Sequence, residues 1–192
     1  ELPVVPGKSF AKAHYEQHCA VTGTITIDSP TDDGDSEQTD PTVMEIDGQL
    51  VSNTMEIALC AAHLAGIQPT DEQQDLQVKQ VLLACSGLVS VIGSTGRLPE
   101  EGPDREAALN RMCSPGGHLS EALGSLEALC AANAKACGRA VGTSLTVADL
   151  AIWRIAGGGL ATVGGVPSDF MERNCPNVSA VLMAVEAEPK VQ

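Results

Sequence analysis

The segment TSLTVADLAIW, residues 143–153, contains a helix start followed by an apolar run. Asp149 follows Thr146 by three residues, which is the spacing of a capping box. In that motif the Thr hydroxyl accepts from the backbone N–H three residues on, and the acidic side chain accepts from the Thr N–H. The helix that follows is apolar on nearly every side, so we expect it at the centre of a core, where water cannot reach its first turn. The segment therefore predicts a buried central helix that begins at Thr146.

The composition of the whole chain fits a compact globular protein with close-packed helices. The chain has 192 residues, of which 43% are hydrophobic, and aromatic residues are scarce. Small and aliphatic side chains therefore have to fill the core. The formal net charge of −14 repels nucleic-acid phosphates and anionic lipids, so we expect no direct nucleic-acid binding. We also expect no apolar run to approach the length of a membrane span, and the start ELPVVPGKSF lacks a signal-sequence layout.

Seven cysteines are spread along the chain without a CxxC pair, mostly within apolar stretches that predict helices. An odd number of scattered cysteines favours free, buried thiols over a disulfide framework. Free thiols are typical of a reducing, intracellular compartment. We expect the cytoplasm, and an organelle is the alternative because a removed presequence leaves no trace.

The residues up to about position 67 predict a small mixed α/β unit. Residues 29–40 are acidic and rich in turn formers, which predicts an exposed loop. Gly66 is a natural helix end. The predicted elements are strands at 1–5 and 24–28, a helix at 8–21, two strands around the turn signal Asp47-Gly48, and a helix at 54–65.

The residues after position 70 predict helices and turns alone. The glycine-rich stretch 155–167 lacks a phosphate-binding pattern, so we expect a flexible connection or close helix packing there. The predicted helices are 71–93, 104–113, 118–137, the central helix from Thr146, and two short helices near 168–174 and 177–187. The fold class predicted is α/β followed by all-α.

Two segments resemble parts of the glutathione transferase-like superfamily. LTVADLAIW, residues 145–153, resembles the buried capping box and core helix of its C-terminal domain. NTMEIALCAAHLAG, residues 53–66, follows the hairpin segment VMEIDG and resembles the segment that ends its thioredoxin-like N-terminal domain. The resemblance covers most of 42–66 and 139–191. It implies a reduced thioredoxin-like domain over 1–67 and an all-helical domain over 71–192.

The resemblance also implies where a catalytic residue and a backbone clamp would lie. The family activates the glutathione thiol with a Tyr, Ser or Cys after the first strand, and here only Ser9 offers such a side chain. A helix cap is the alternative role for this Ser. The family's cis-Pro before the third strand aligns with Thr42, whereas Pro41 stands one residue early.

A third determinant is the Gln-Ser pair with which the family binds the γ-glutamyl group. Asn53 and Thr54 correspond to that pair, and their donors would hold a carboxylate at a helix N-terminus. Glu56 lies in the same first turn, where its charge would repel the carboxylates of glutathione. Of the three determinants, the pair Asn53 and Thr54 is therefore retained, Ser9 is a weak candidate for the activator, and the proline is displaced to position 41.

The non-catalytic domains of this fold in aminoacyl-tRNA synthetases and multi-synthetase scaffold proteins resemble the chain more closely. They lack the catalytic Tyr and have an abbreviated N-terminal half. We therefore expect a non-catalytic protein–protein interaction module of a multiprotein complex, without a cofactor. Its partners would be domains of similar fold or a basic protein, in a dimer or hetero-complex that docks through the helices 54–65 and 71–93. The alternative is a glutathione transferase that conjugates glutathione to electrophiles, using Ser9 or no side-chain activator.

Two further patterns suggest metal ligands, but each has a simpler interpretation. His14 and His18 are four residues apart and would share a helix face, although no zinc-protease Glu accompanies them. The acidic loop lacks the Gly and the terminal Glu of a calcium loop in register. We expect solvated side chains at both places and no metal.

Overall fold

The computed structural model describes residues 25–28, 43–46, 49–99, 101–133, 138–167 and 169–189. The chain divides into two compact units, Glu1–Gly66 and Ile67–Gln192. Several predictions lie outside the described residues, namely the strand at 1–5, the helix at 8–21, the loop 29–40 and the residues Ser9, His14, His18, Pro41 and Thr42.

Three short antiparallel strands form the sheet described in the first unit. They are β1 (Ile25–Asp28), β2 (Val43–Ile46) and β3 (Gln49–Val51), and their order in the sheet is β1-β2-β3. Ile46 pairs with Ile25 on one side and with Gln49 on the other. The pairing of β2 with β3 is the arrangement that the turn signal between them predicts.

Helix α1, Thr54–Leu64, follows the sheet directly. The helix ends just before Gly66, whose φ of 68° lies in the left-handed region that favours glycine. Met44 of β2 and Val51 of β3, which pair across the two strands, are buried and pack against Ile57 and Cys60 of α1.

The described secondary structure of the second unit is helical. Its core lies where the longest helix, α2, meets α4 and α5, and where α7 meets α4 and α5. The helices are α2 (Glu72–Thr95), α3 (Pro103–Cys113), α4 (His118–Ala132), α5 (Val147–Ile152), α6 (Phe170–Asn174) and α7 (Pro176–Glu186). Fully buried aliphatic side chains at these contacts include Val78, Leu88, Leu123, Leu126, Ile152 and Val181.

Helix α2 is long and apolar enough to cross a bilayer, judged by length and composition only. The expectation that no segment has these properties is wrong for this helix. The physical reason is that neither side carries a charge from Gln80 onward: the buried side is aliphatic, and the exposed side carries Leu, Val, Ser and Gly. Core helices of soluble proteins have the same properties, and α2 packs against α4 and α5.

The helix that begins with α5 does not end at the three consecutive glycines 157–159. A π-helix, Trp153–Gly159, continues α5 without a break, so the flexible connection expected for residues 155–167 is wrong at the glycines 157–159. Residues 162–166 do form turns and bends. The alternative expectation, close packing, agrees with the contacts. A Cβ on Gly157 would lie 3.4 Å from the Leu182 side chain of α7, and one on Gly159 would lie 3.5 Å from Ile92 of α2. Packing against α2 and α7 outweighs the low helix propensity of glycine.

The predicted capping box is present at the start of α5, and its Asp149 carboxylate also accepts a hydrogen bond from the loop before the helix. Asp149 is 0% exposed. Its Oδ2 accepts from the Thr146 N–H (2.7 Å) and hydroxyl (3.0 Å), and its Oδ1 accepts from the N–H of Ala140 (2.7 Å). Burial raises the pKa of the Asp149 carboxyl above its usual value. The three hydrogen bonds and the charge of Arg139 lower this pKa but do not outweigh burial. The carboxylate thereby ties the loop before α5 to the central helix.

The loop 138–142 also contacts α4 and α7. Asn133, which ends α4, donates from Nδ2 to the carbonyls of Arg139 and Gly142, at 2.9 Å each. Arg139 forms an ion pair with Glu188 after α7, at 2.8 Å. Gly138 has φ of 81°, and a Cβ there would lie 2.9 Å from the carbonyl oxygen of Ala180. The loop therefore lies directly on the backbone of α7.

The first turn of α7 is capped from another helix. Its own N-cap, Cys175, makes no side-chain cap hydrogen bond. Glu127 of α4 accepts from the N–H groups of Asn177 and Val178 at 3.0–3.1 Å, and from Asn177 Nδ2 at 2.6 Å. A carboxylate at a helix N-terminus is favoured by the helix dipole, so this contact fixes the start of α7 on α4.

Replacement of Asp149 by Ala should destabilise the second unit strongly. Two backbone donors and one hydroxyl would lose their buried acceptor, so we expect a loss of about 3 kcal/mol or more in the free energy of unfolding. Urea denaturation followed by circular dichroism measures it. Asp169→Ala is the matched control, since its pair with Arg173 is exposed and should contribute less than about 1 kcal/mol. Equal losses in the two variants would contradict the structural role of Asp149.

Two glycines with similar φ angles allow the cost of a left-handed backbone to be measured apart from the cost of steric crowding. Gly138 and Gly116 have nearly the same φ, 81° and 80°, but nothing lies within 4 Å of a Cβ on Gly116. Both Ala variants should lose about 1–2 kcal/mol to the left-handed conformation. Gly138→Ala should lose roughly 1–3 kcal/mol more, because its methyl group meets α7. Similar unfolding midpoints for the two variants would show that the loop does not approach α7 this closely.

Candidate functional site

The first turn of α1 holds the predicted ligand-binding pair. Asn53 is the N-cap, and its Oδ1 accepts from the N–H groups of Met55 (2.9 Å) and Glu56 (3.3 Å). Its carbonyl oxygen accepts from Ile57 at 2.9 Å, which begins the helical ladder. The side chain that would help to bind a carboxylate therefore already satisfies two of the amide donors that such an anion needs.

Thr54 retains donors at this helix start. Its side chain is exposed, and within the residues that the structure describes neither its N–H nor its hydroxyl has a hydrogen-bond partner. One backbone donor and one hydroxyl thus remain for an anion. This is a smaller set of donors than an uncapped helix start offers.

The charge near this turn is negative. Glu56 lies in the first turn and is half-buried. One turn further on, burial and then the charge of Glu56 raise the pKa of the Cys60 thiol. A thiol with a raised pKa stays protonated at neutral pH and is a poor nucleophile. The negative charge of Glu56 therefore opposes both an anion bound at this turn and a thiolate at Cys60.

The structure places Asn53, Thr54 and Glu56 in one helical turn, as the sequence predicts from their spacing. Ser9 and Thr42, the other two predicted site residues, lie outside the described residues, and their roles stay predictions. The double acceptor role of Asn53 was missed. An Asn directly before Thr-Met-Glu is a helix-start signal that could have revealed it.

Metal-binding groups and reactive thiols are the other features that could mark a site. Among the described residues, no group of three or more His, Cys, Asp or Glu side chains could hold a metal ion. Burial raises the pKa of the thiols of Cys85 and Cys130 to about 12 and that of Cys175 to about 11. These three thiols are free, buried and unreactive at neutral pH.

A second feature is a shallow cavity of about 360 Å³ between α2 and α4. Small and apolar residues of α2 form one wall, and the first two turns of α4 form the other. The lining residues are Ala84, Gly87, Val91, His118, Glu121, Ala122 and Ser125. Sequence patterns do not reveal this cavity, because it depends on which helices pair.

Solved structures share this arrangement of elements. The monomeric glutathione S-transferase Na-GST-3 of the hookworm Necator americanus superposes with a TM-score of 0.61 at 19% identity, over 78% of this chain and 70% of that chain. A glutathione S-transferase of Ascaris lumbricoides gives 0.58 at 19% identity, over 79% and 71%. Prostaglandin synthase D of Nilaparvata lugens also gives 0.58 at 19% identity, over 80% and 71%.

The chain has a glutathione transferase-like fold. This confirms the predicted class, a thioredoxin-like unit followed by a helical unit. No protein-family model and no curated protein matches the chain. At 19% identity the likeness concerns the fold, and the chemistry has to be argued from the side chains of this chain.

Within the glutathione transferase-like fold, the capping role of Asn53 is open to a direct test. Asn53→Ala should lower the stability of α1 by about 1 kcal/mol, because two first-turn donors lose their acceptor. Hydrogen exchange of the Met55 and Glu56 amides should accelerate by roughly fivefold. Ser52→Ala, at the exposed neighbouring position, is the control and should change neither amide. Unchanged protection in Asn53→Ala would contradict the cap.

Proposed function

We propose that this chain is a non-catalytic assembly module with a glutathione transferase-like fold, part of a larger protein complex. The observation that carries the proposal is the self-capped start of α1. The amides of Met55 and Glu56 already donate to Asn53 Oδ1. A γ-glutamyl carboxylate would have to displace that side chain and would gain little in exchange.

Electrostatics supports the same proposal. The carboxylate of Glu56 stands in the turn where glutathione carboxylates would bind. Two like charges a few ångströms apart at a protein surface repel by about 1–4 kcal/mol. The described thiols do not replace the missing activator, since burial raises the pKa of Cys60 and Cys113 and of the three cysteines in the core.

The docking faces proposed for this module lie on α1 and α2. Each helix exposes aliphatic side chains, with Leu64 on α1 and Leu76 and Leu83 on α2. Apolar side chains exposed on regular elements favour protein–protein contact. The resemblance to the non-catalytic domains of aminoacyl-tRNA synthetases and their scaffold proteins supports partners of similar fold, and the acidic chain supports a basic partner. Five free cysteines among the described residues support a reducing compartment such as the cytoplasm.

A glutathione transferase is the second candidate. Solved proteins of this fold carry that name, and the donors of Thr54 remain available for an anion. Under this alternative Ser9, or no side chain, would activate the thiol, and glutathione would be conjugated to electrophiles. The two candidates differ in a measurable property, the affinity for glutathione.

Calorimetric titration with glutathione tests the proposal. We expect no saturable heat at millimolar glutathione for the wild-type chain, because the α1 donors are occupied and Glu56 repels the ligand. Glu56→Ala is the informative variant, since it removes the repulsion and keeps the cap. Saturable micromolar binding by the wild-type chain, together with conjugation that Ser9→Ala abolishes, would replace the assembly module by the transferase.

A native pull-down addresses the assembly role directly. The tagged full chain at physiological ionic strength should retain a stoichiometric partner that survives washing. Leu64→Glu and Leu83→Glu should each reduce retention if the faces of α1 and α2 dock. Absence of any stoichiometric partner, including a second copy of the chain, would refute the proposal.

A further inference from the structure

The cavity between α2 and α4 is lined by small side chains on both helices. Ala84 and Gly87 of α2 and Ala122 of α4 contribute to it, and its volume is about 360 Å³. Leu88 and Leu123, which follow Gly87 and Ala122 in sequence, are fully buried, and α2 packs against α4. The contact between the helices is therefore intact, and the cavity is an opening at the surface. Small-molecule sites commonly enclose about 300–1,000 Å³, so there is room for a compact organic molecule.

The two walls of the cavity differ in chemistry. The α2 wall is apolar and consists of Ala84, Gly87 and Val91. The α4 wall carries the polar side chains of His118, Glu121 and Ser125. The spacing of three and four residues places each set on one side of its helix. A ligand that fits both walls has one apolar part and one polar part.

The polar wall offers more acceptors than donors. The Glu121 carboxylate has neither a hydrogen bond nor an ion pair within the part of the chain that the structure describes. Ser125 donates its hydroxyl to the Glu121 carbonyl oxygen at 3.0 Å, so the hydroxyl oxygen can still accept. The described lining includes no Lys or Arg. These groups favour a cation with N–H donors, and the net charge of −14 attracts cations to the whole surface.

The lining also distinguishes between kinds of cation. Quaternary ammonium groups lack N–H donors and are typically bound by aromatic rings. The described lining contains no Phe, Tyr or Trp. A primary or secondary ammonium group instead forms charge-assisted hydrogen bonds with a carboxylate, and it can donate a further bond to a hydroxyl oxygen. Glu121 and Ser125, one turn apart on α4, provide these two acceptors.

We propose that the cavity between α2 and α4 binds a small primary or secondary amine with an apolar body. Its ammonium group donates to Glu121 and Ser125, and its apolar body lies on the α2 wall. The site lies inside the helical unit and does not involve α1, so the proposal goes beyond the assembly role and does not rest on it. Because the cavity is shallow, we expect a dissociation constant on the order of 1 mM for an amine of about ten non-hydrogen atoms.

Titration with phenethylamine, followed by two-dimensional NMR of the isotope-labelled full chain at constant ionic strength, tests the site. The amides of Gly87, Ala122 and Ser125 should shift and saturate. Phenylethanol has about the same size but no charge, and it should bind at least about fivefold more weakly because it cannot pair with Glu121. Equal affinities for the two probes would overturn the proposal, as would shifts that do not saturate or that lie elsewhere.

Two further probes test the chemical class of the ligand. Trimethylated phenethylamine keeps the positive charge but has no N–H donor, so it should bind several-fold more weakly than phenethylamine. Phenylpropionate carries the opposite charge and should not bind measurably, because Glu121 repels it. Equal binding of the trimethylated probe, or tighter binding of the anion than of the amine, would contradict the assigned class.

The charge of Glu121 is removed without a change of size in Glu121→Gln. This variant should bind phenethylamine at least about fivefold more weakly and phenylethanol as the wild-type chain does. Glu172→Gln is the matched control, since Glu172 is exposed on α6 and does not line the cavity. Its affinity for phenethylamine should equal that of the wild-type chain. Equal losses in both variants would indicate a general effect of net charge and would overturn the role of Glu121.

Gly87→Leu fills the cavity. A Cβ on Gly87 meets no atom within 4 Å, so the helix can accept the side chain, and circular dichroism verifies that it does. Phenethylamine should bind at least about tenfold more weakly, because the new side chain occupies the α2 wall. Gly93→Leu is the matched control on the same helix, with an equally open Cβ and no part in the lining. Wild-type affinity in Gly87→Leu would place the amine outside the cavity and overturn the proposal.

Discussion

The buried carboxylate of Asp149 is the constraint on which the helical unit depends. A full negative charge inside a protein is costly, and this one is accommodated because three donors surround it: the N–H groups of Thr146 and Ala140 and the Thr146 hydroxyl. The same bonds fix the start of the central helix and the loop before it. That loop meets α7 at Gly138 and α4 at Asn133. One side chain therefore sets the relative positions of three helices.

The placement of α2 follows from that arrangement. With α4 and α5 fixed, α2 buries Val78, Val81, Cys85 and Leu88 against them and leaves its opposite side uncovered. In an ordinary surface helix the uncovered side is polar and charged. Here it carries leucine, serine and glycine, so the apolar character that sequence patterns report for this helix comes from both sides. The buried side belongs to the fold, and the exposed side carries one of the docking faces that we propose.

The sequence predicts those features whose partners lie within one helical turn. The capping box of Thr146 and Asp149 is an example, because a cap is a local motif. The Asn53 cap of α1 is equally local, but there the sequence predicted only the start of the helix and not the cap. The cap that Glu127 provides to α7 joins residues fifty positions apart and leaves no local pattern. The glycines 157–159 show the same limit: their low helix propensity left both a flexible connection and close packing open, and contacts with Leu182 and Ile92, distant in sequence, decide for close packing within an unbroken helix. The cavity beside Gly87 depends on helix pairing in the same way.

The start of α1 differs from an open anion site because its first donors are already paired. A helix N-terminus attracts an anion because its first donors are unpaired and its dipole is positive. Asn53 pairs two of those donors, and Glu56 opposes the dipole's attraction for a second anion. Asn53 as the cap and Glu56 in the first turn both stabilise α1 without a ligand. The start of α1 is therefore stable without a ligand, which is why we propose its function from the cap and not from a bound anion.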